Sequence, residues 1–135
     1  MKKIISYTDG ASRGNPGPAG IGALLLDETG GVLGEHSDFV GITTNNEAEY
    51  RALILALTRA LELKATVVQC FLDSELVVRQ LNGQYRVKNE KMIKFYTEVK
   101  NLLSKFESVS FSHVPREHPQ QRVADKLANR GIDLK

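Results

Sequence analysis

Four carboxylates lie where a folding chain tolerates them least. Asp9 closes one β-rich run, Asp73 closes another, and Glu49 and Asp125 stand in the opening halves of apolar helical patterns. A carboxylate at the edge of a hydrophobic core loses hydration and must find a partner. No Lys or Arg is placed beside each acid in a way that suggests simple ion pairs. If the fold gathers the four, each pair at about 4 Å repels by roughly 4 kcal/mol at an effective dielectric of about 20. A divalent cation removes that conflict, so the pattern reads as a metal site. Taken singly, the acids have ordinary readings: Asp9 as a turn residue, Asp73 as a cap for a helix from Ser74 onward, Asp125 as a solvent-facing helix residue.

The run of elements that carries these acids is legible from periodicity. Residues 3–9 and 20–26 are β-rich, and the Gly- and Pro-containing stretch 10–19 between them reads as a long functional loop that continues neither strand. A turn at 27–31 leads to a third strand over about 32–40, which makes the first third an antiparallel meander. From Asn45 to about Lys64 the stripe Glu49, Leu53, Ala56, Ala60, Leu63 has helical spacing. Thr44 and Glu47 frame its start as a capping box, which explains Glu47 and leaves Glu49 unexplained. A fourth strand is expected over 67–72, helices over 75–81 and from 88 or 89 to 105, a fifth strand over 109–114, and a last helix from Pro119 to Asn129 that Gly131 stops. Helical crossovers between the later strands require parallel pairing. The fold class is therefore α/β, with a mixed five-stranded sheet, three antiparallel strands then two parallel, flanked by helices.

At 135 residues and 41% hydrophobic content, residues 1–135 suit one compact domain that buries roughly two thirds of its unfolded surface. The single cysteine, Cys70, falls in an apolar run and reads as a core residue, which excludes an intrachain disulfide and zinc sites built on paired cysteines. The apolar stretch after Lys2 and Lys3 is broken by Ser6, Thr8 and Asp9 before it reaches the length of a signal peptide, and no run approaches the ~18 apolar residues of a membrane span. A cytoplasmic protein with no membrane association and no obligate protein partner is expected. The net charge of +2 is mild, but Arg79, Arg86, Lys88, Lys91, Lys94, Lys100 and Lys105 face only Glu90 and Glu98 within one segment. Such a run is commonly a solvated helix face and only weakly suggests nucleic acid.

In an open sheet with parallel crossovers, ligands gather beyond the carboxyl ends of the strands, which is where Asp9 and Asp73 are expected. Hard oxygen ligands without Cys favour magnesium (Mg2+) or manganese (Mn2+) over zinc. Two such ions can clamp a phosphate, so the expected chemistry is phosphodiester hydrolysis.

The stretch Tyr7-Thr8-Asp9-Gly10-Ala11-Ser12-Arg13-Gly14-Asn15-Pro16-Gly17-Pro18-Ala19-Gly20 closely resembles the opening of type 1 ribonuclease H. The blocks Thr43 to Tyr50, Asp73 to Val78 and Ala124 to Asn129 resemble the family's remaining signatures in order and approximate spacing, so the likeness covers essentially the whole chain. It implies an endonuclease that cuts the RNA strand of RNA/DNA hybrids with two Mg2+ ions, leaving 3'-hydroxyl and 5'-phosphate ends. It also implies that Asp9, Glu49, Asp73 and Asp125 are the metal-binding catalytic tetrad, that Asn15, Asn45 and Asn46 contact the RNA strand, that Gly10 belongs to the substrate-binding surface, and that Thr44 and Asn89 hold a phosphate of the DNA strand. For Asn45 and Asn89, helix capping is the ordinary alternative.

Three departures from the family pattern bear on function. Only Asn82 to Lys88 fills the place of a basic handle, Gln121 stands where an Asn is usual, and the loop His of bacterial relatives has His118 as its nearest substitute. His118 is accordingly a candidate for proton transfer, with Arg116 and Glu117 as neighbours able to share that work. Two rivals remain at this level: a hybrid-binding module without chemistry, and an integrase-like DNA nuclease of the same broad fold.

Overall fold

Alternation along one central strand decides the layering of the molecule. In the computed structural model, which describes residues 2–135, β1 (Lys3–Ser12) directs Ile4 into one apolar cluster and Tyr7 into another. β2 (Gly17–Leu26) repeats the division, with Leu25 facing one way and Leu24 and Leu26 the other. β3 (Val32–Thr43) pairs antiparallel to β2, and β2 antiparallel to β1. β4 (Val67–Leu72) and β5 (Ser108–His113) complete the sheet in parallel, in the order β3-β2-β1-β4-β5. The expected mixed sheet of three antiparallel and two parallel strands is present.

One face is covered by α1 (Asn45–Glu62), whose buried Tyr50, Leu53, Ala56, Leu57 and Ala60 join Ile4, Leu25, Val68, Cys70 and Leu72 in the larger core. α2 (Glu75–Leu81) and α3 (Glu90–Leu103) extend that core with Val77, Leu81, Met92 and Val99. The opposite face receives α4 (Pro119–Ile132), where Ala124 and Leu127 pack with Tyr7, Leu24 and Leu26. Each fully buried aliphatic side chain contributes on the order of 1.5–3 kcal/mol. Both faces of β1 are therefore in core, and polar groups at its far end are the only ones on that strand within reach of a cleft.

Two expectations are corrected by this packing. The stretch 10–19 does not form a long loop: β1 runs on to Ser12 and β2 starts at Gly17, with Ser12 opposite Ala19 and a further bond from the Arg13 N–H to the Pro18 carbonyl of 2.8 Å. Small residues with weak strand preference are held extended because helices close on both sides of them. The last helix does not stop at Asn129. It passes through Gly131 to Ile132, and a Cβ at Gly131 would lie 2.3 Å from the Asp38 carbonyl oxygen. Gly131 is thus a contact point between α4 and β3. Smaller boundary shifts occur at β3, which reaches Thr43, and at β5, which begins at Ser108.

Candidate active site

The parallel register between β1 and β4 sets the first two acids side by side. Thr8 is level with Leu72, so Asp73, the first residue past β4, lies beside Asp9, which does not end its strand as the sequence suggested but stands within β1 where pairing to β4 stops. Glu49 arrives from α1 by way of Gly10. A Cβ on Gly10 would stand 2.3 Å from the Ala48 carbonyl carbon, so only glycine lets the first turns of α1 lie against the strand. The Glu49 carboxylate then accepts a 2.8 Å hydrogen bond from the Gly10 N–H, one peptide from Asp9. Asp9, Glu49 and Asp73 can each bring an oxygen within 4.8 Å of the others. Asp125 comes from the second turn of α4 and lines the same cleft from its rim, where Asn129 donates to its Oδ1 at 3.4 Å.

Burial and mutual repulsion hold Asp9, Glu49 and Asp73 well away from ordinary carboxylate behaviour. Loss of hydration, followed by the charge of Glu49 and then of Asp73, pushes Asp9 far above the usual carboxylate range. Glu49 is also raised, chiefly by burial. Asp73 is raised by burial, and the Arg116 guanidinium opposes the shift. Glu49 Oε2 is buried without any hydrogen-bond partner, an oxygen facing no donor in the middle of a carboxylate cluster. A carboxylate-only donor set with one such orphaned oxygen fits a hard divalent cation, and Asp9, Glu49 and Asp73 are the residues close enough together to hold it.

Beside the acids, one hydrogen-bonded group organises the cleft floor. Asn45 is not the cap of α1, a task that Thr44 performs with Glu47 in the expected capping box. Instead, Asn45 Oδ1 accepts from the Ser12 N–H at 2.8 Å and from Ser12 Oγ at 3.2 Å, while the Asn45 N–H donates to Asn15 Oδ1 at 3.0 Å. Asn45 and Asn46 line the acidic cleft, and Asn46 continues into a groove shared with Asn15, Thr44, Lys88 and Asn89. Asn89 does cap α3, accepting from the Lys91 and Met92 N–H groups at 3.0 and 3.2 Å. The cap of α2 is Ser74, which frees Asp73 from the capping role that the sequence also allowed.

His118 stands elsewhere. Its Nδ1 accepts from the Gln120 N–H at 3.2 Å as the cap of α4, and its ring stacks on Tyr7 with centroids 5.2 Å apart. The loop residue that lines the acidic cleft is Arg116. Gln121 is fully buried and donates from Nε2 to the Thr8 carbonyl at 2.8 Å, tying α4 to β1 one residue before Asp9. The contributions of Ser12 and Asn129 were not singled out from the sequence. The Asp125/Asn129 spacing of four on a helix was the available signal for one of them, whereas the Ser12 contact depends on a strand extension that propensity opposes.

A mixed sheet with carboxylates gathered where its parallel central strands part defines a class of site compatible with a divalent cation. Comparison with known proteins specifies it. A family model described as reverse transcriptase-like matches residues 7–131. The bifunctional protein Rv2228c of Mycobacterium tuberculosis is 42% identical over 132 residues, which are 97% of this chain and 36% of that protein. Ribonuclease HI of Halobacterium salinarum is 40% identical over 131 residues, 97% of this chain and 65% of that protein. The crystal structure of RNase H1 from the same archaeon superimposes with a TM-score of 0.93, at 39% identity, covering 98% of this chain and 99% of the other. LC11-RNase H1 in complex with an RNA/DNA hybrid superimposes with a TM-score of 0.90, at 42% identity, covering 97% of each chain. The chain thus spans about a third of the mycobacterial protein's length and a little under two thirds of the halobacterial one. It belongs to the type 1 ribonuclease H family, in the short form without a basic handle insertion between α2 and α3.

Proposed function

We propose that this chain is an endonuclease that hydrolyses the RNA strand of RNA/DNA hybrids, leaving 3'-hydroxyl and 5'-phosphate ends, with Mg2+ as its natural ion and Mn2+ as a substitute. The observation that carries the reading is the single cleft in which Asp9, Glu49, Asp73 and Asp125 face Asn45 and Asn46. Two ions held by the four carboxylates would supply charge stabilisation at the phosphate and a nucleophile at neutral pH. Asn45 and Asn46 present amide groups that both donate and accept, which suits a ribose 2'-hydroxyl. Asn15 and Ser12 hold Asn45 against α1 and β1, so its orientation is set before substrate arrives. Gly10 admits α1 to the strand end and offers its N–H to Glu49.

Thr44 and Asn89 line a common groove beside Lys91, which suits a phosphate of the DNA strand. The hybrid bound to LC11-RNase H1 supports the same substrate class for this relative of similar length. His118 enters the proposal as the cap that sets the start of α4, and so the position of Asp125, rather than as a proton carrier. We assign residues 1–135 to one catalytic unit that works in the cytoplasm without an obligate protein partner; no helix among the described residues is long and apolar enough to cross a membrane.

Incubating purified protein with end-labelled hybrid, single-stranded RNA, double-stranded RNA and DNA duplex, with and without Mg2+, tests the proposal. Cleavage confined to the RNA strand of the hybrid and abolished by chelator is expected. Cleavage of an all-DNA duplex, or hybrid binding without any cutting, would replace the reading with one of its two rivals.

A further inference from the structure

We propose, resting on the metal-dependent reading above, that Gln121 is a positioning residue. Its buried amide fixes the start of α4 against β1 and so sets Asp125 at the distance from Asp9 that cation binding requires. Gln121 is fully buried, and its Nε2 donates to the Thr8 carbonyl at 2.8 Å, one residue before Asp9. Asp125 stands four residues on, one turn later on the same face of α4. A single hydrogen bond thus joins the backbone beside one acid to the helix turn that precedes another. Asp125 is near enough to Asp9 for its carboxyl to add to the rise in the Asp9 pKa, after burial and the charges of Glu49 and Asp73.

The other contacts of α4 leave this distance open. Gly20 and Gly22 let the helix lie close on β2, where a Cβ on Gly22 would meet the Ala124 carbonyl oxygen at 2.6 Å. Ala124 and Leu127 pack with Tyr7, Leu24 and Leu26. Apolar contacts are non-directional and permit a small roll of the helix about that line, whereas metal ligands must be held to within about 0.5 Å. The bond from Gln121 is short and directional, and it acts on the β1 side. Stability does not account for the amide. Gln121 Oε1 is buried without a hydrogen-bond partner, and an apolar side chain of like volume would fill the space without that penalty. Asn129 Nδ2, 3.0 Å from the Asp125 carbonyl and 3.4 Å from its Oδ1, orients the acid's side chain, while Gln121 places the turn that carries it.

The test compares wild type with Gln121→Met, which keeps the bulk and removes the donor, and with Gln121→Asn, which keeps the amide and shortens its reach by one methylene. Mg2+ binding to the protein alone is measured by calorimetry, thermal unfolding is followed without metal, and hybrid cleavage is measured across Mg2+ concentrations. Gln121→Met is expected to weaken Mg2+ binding by about 10- to 100-fold, the scale of losing a group that orients a ligand. The Mg2+ concentration for half-maximal cleavage should rise by the same factor, with KM for hybrid unchanged. Gln121→Asn should lose less by both measures. A lower melting temperature with unchanged Mg2+ affinity in both variants would make Gln121 a packing residue and overturn the inference. Should Gln121→Met fail to fold, Gln121→Asn decides alone, and Mg2+ affinity equal to that of wild type denies the role. Should wild type bind no Mg2+, the metal-dependent reading falls by itself. Crystal structures of wild type and Gln121→Asn then decide Gln121, because an unchanged separation of the Asp9 and Asp125 carboxylates denies any positioning.

Discussion

At the scale of single residues, the site is built from groups that the fold places at a disadvantage. Asp73→Asn removes one charge from a cluster that burial and repulsion already strain, and keeps the side chain's shape. Turnover should fall by at least about 100-fold, because loss of a direct ligand exceeds the 10- to 100-fold cost of disturbing a ligand's own partner. The metal-free protein should melt no lower than wild type. A melting temperature several degrees lower would mean that Asp73 serves the fold and not the ion. Asn45→Ala deletes the acceptor of two Ser12 hydrogen bonds on a part-exposed surface, worth about 1 kcal/mol together. Hybrid cleavage should suffer more than that, and equal losses in denaturant midpoint and in kcat/KM would assign Asn45 to structure alone. His118→Ala should cost about 1 kcal/mol of stability through the lost cap. A pH-rate profile of unchanged shape is the corresponding kinetic expectation.

At the scale of elements, the approach of helix to sheet controls where Asp125 can stand. Gly131 lies in the last turn of α4, and substitution by alanine in an isolated helix would gain about 1 kcal/mol. Here the added Cβ meets the Asp38 carbonyl oxygen at 2.3 Å, so α4 must lift from β3. Gly131→Ala should therefore destabilise the protein by about 1–3 kcal/mol, the cost of overpacking a close contact. Chemical denaturation measures this directly, and a gain in stability would show that the helix end can move freely. α1 behaves differently. Its capping box, its stripe of Leu and Ala, and the Gly10 contact all specify one position, which is why Glu49 could be singled out from the helix pattern.

At the scale of the whole molecule, the acid cluster couples proton, metal and folding equilibria. Asp9, Glu49 and Asp73 all have folded-state pKa values raised above their unfolded ones. The folded protein then holds more protons than the unfolded chain between those values. Stability from these groups is present below the unfolded carboxylate range and is lost as pH rises through the folded values. Metal binding displaces the same protons, so its stabilising effect grows with pH. The melting temperature of the metal-free protein should fall between pH 5 and pH 8, and the increase produced by a fixed Mg2+ concentration should be larger at pH 8. An increase independent of pH would deny that the ion binds at the raised carboxylates.

The sequence by itself determined what local pattern can encode. Periodicity sufficed for the five strands and four helices, Thr44 and Glu47 for the start of α1, and the positions of Asp9, Glu49 and Asp73 for a cluster of carboxylates. Only the tertiary structure decided matters settled by contacts between distant segments. β1 reaches Ser12 because α1 packs against Gly10 and pairing with β2 holds Ala11 and Ser12, although their own preferences oppose a strand. α4 continues through Gly131 because β3 accepts a residue without a side chain there, and Arg116 rather than His118 enters the cleft because His118 turns its Nδ1 to the Gln120 N–H at the start of α4. Local preferences amount to fractions of a kcal/mol per residue, whereas burial against another element is worth several times more, so long-range packing prevails wherever the two conflict.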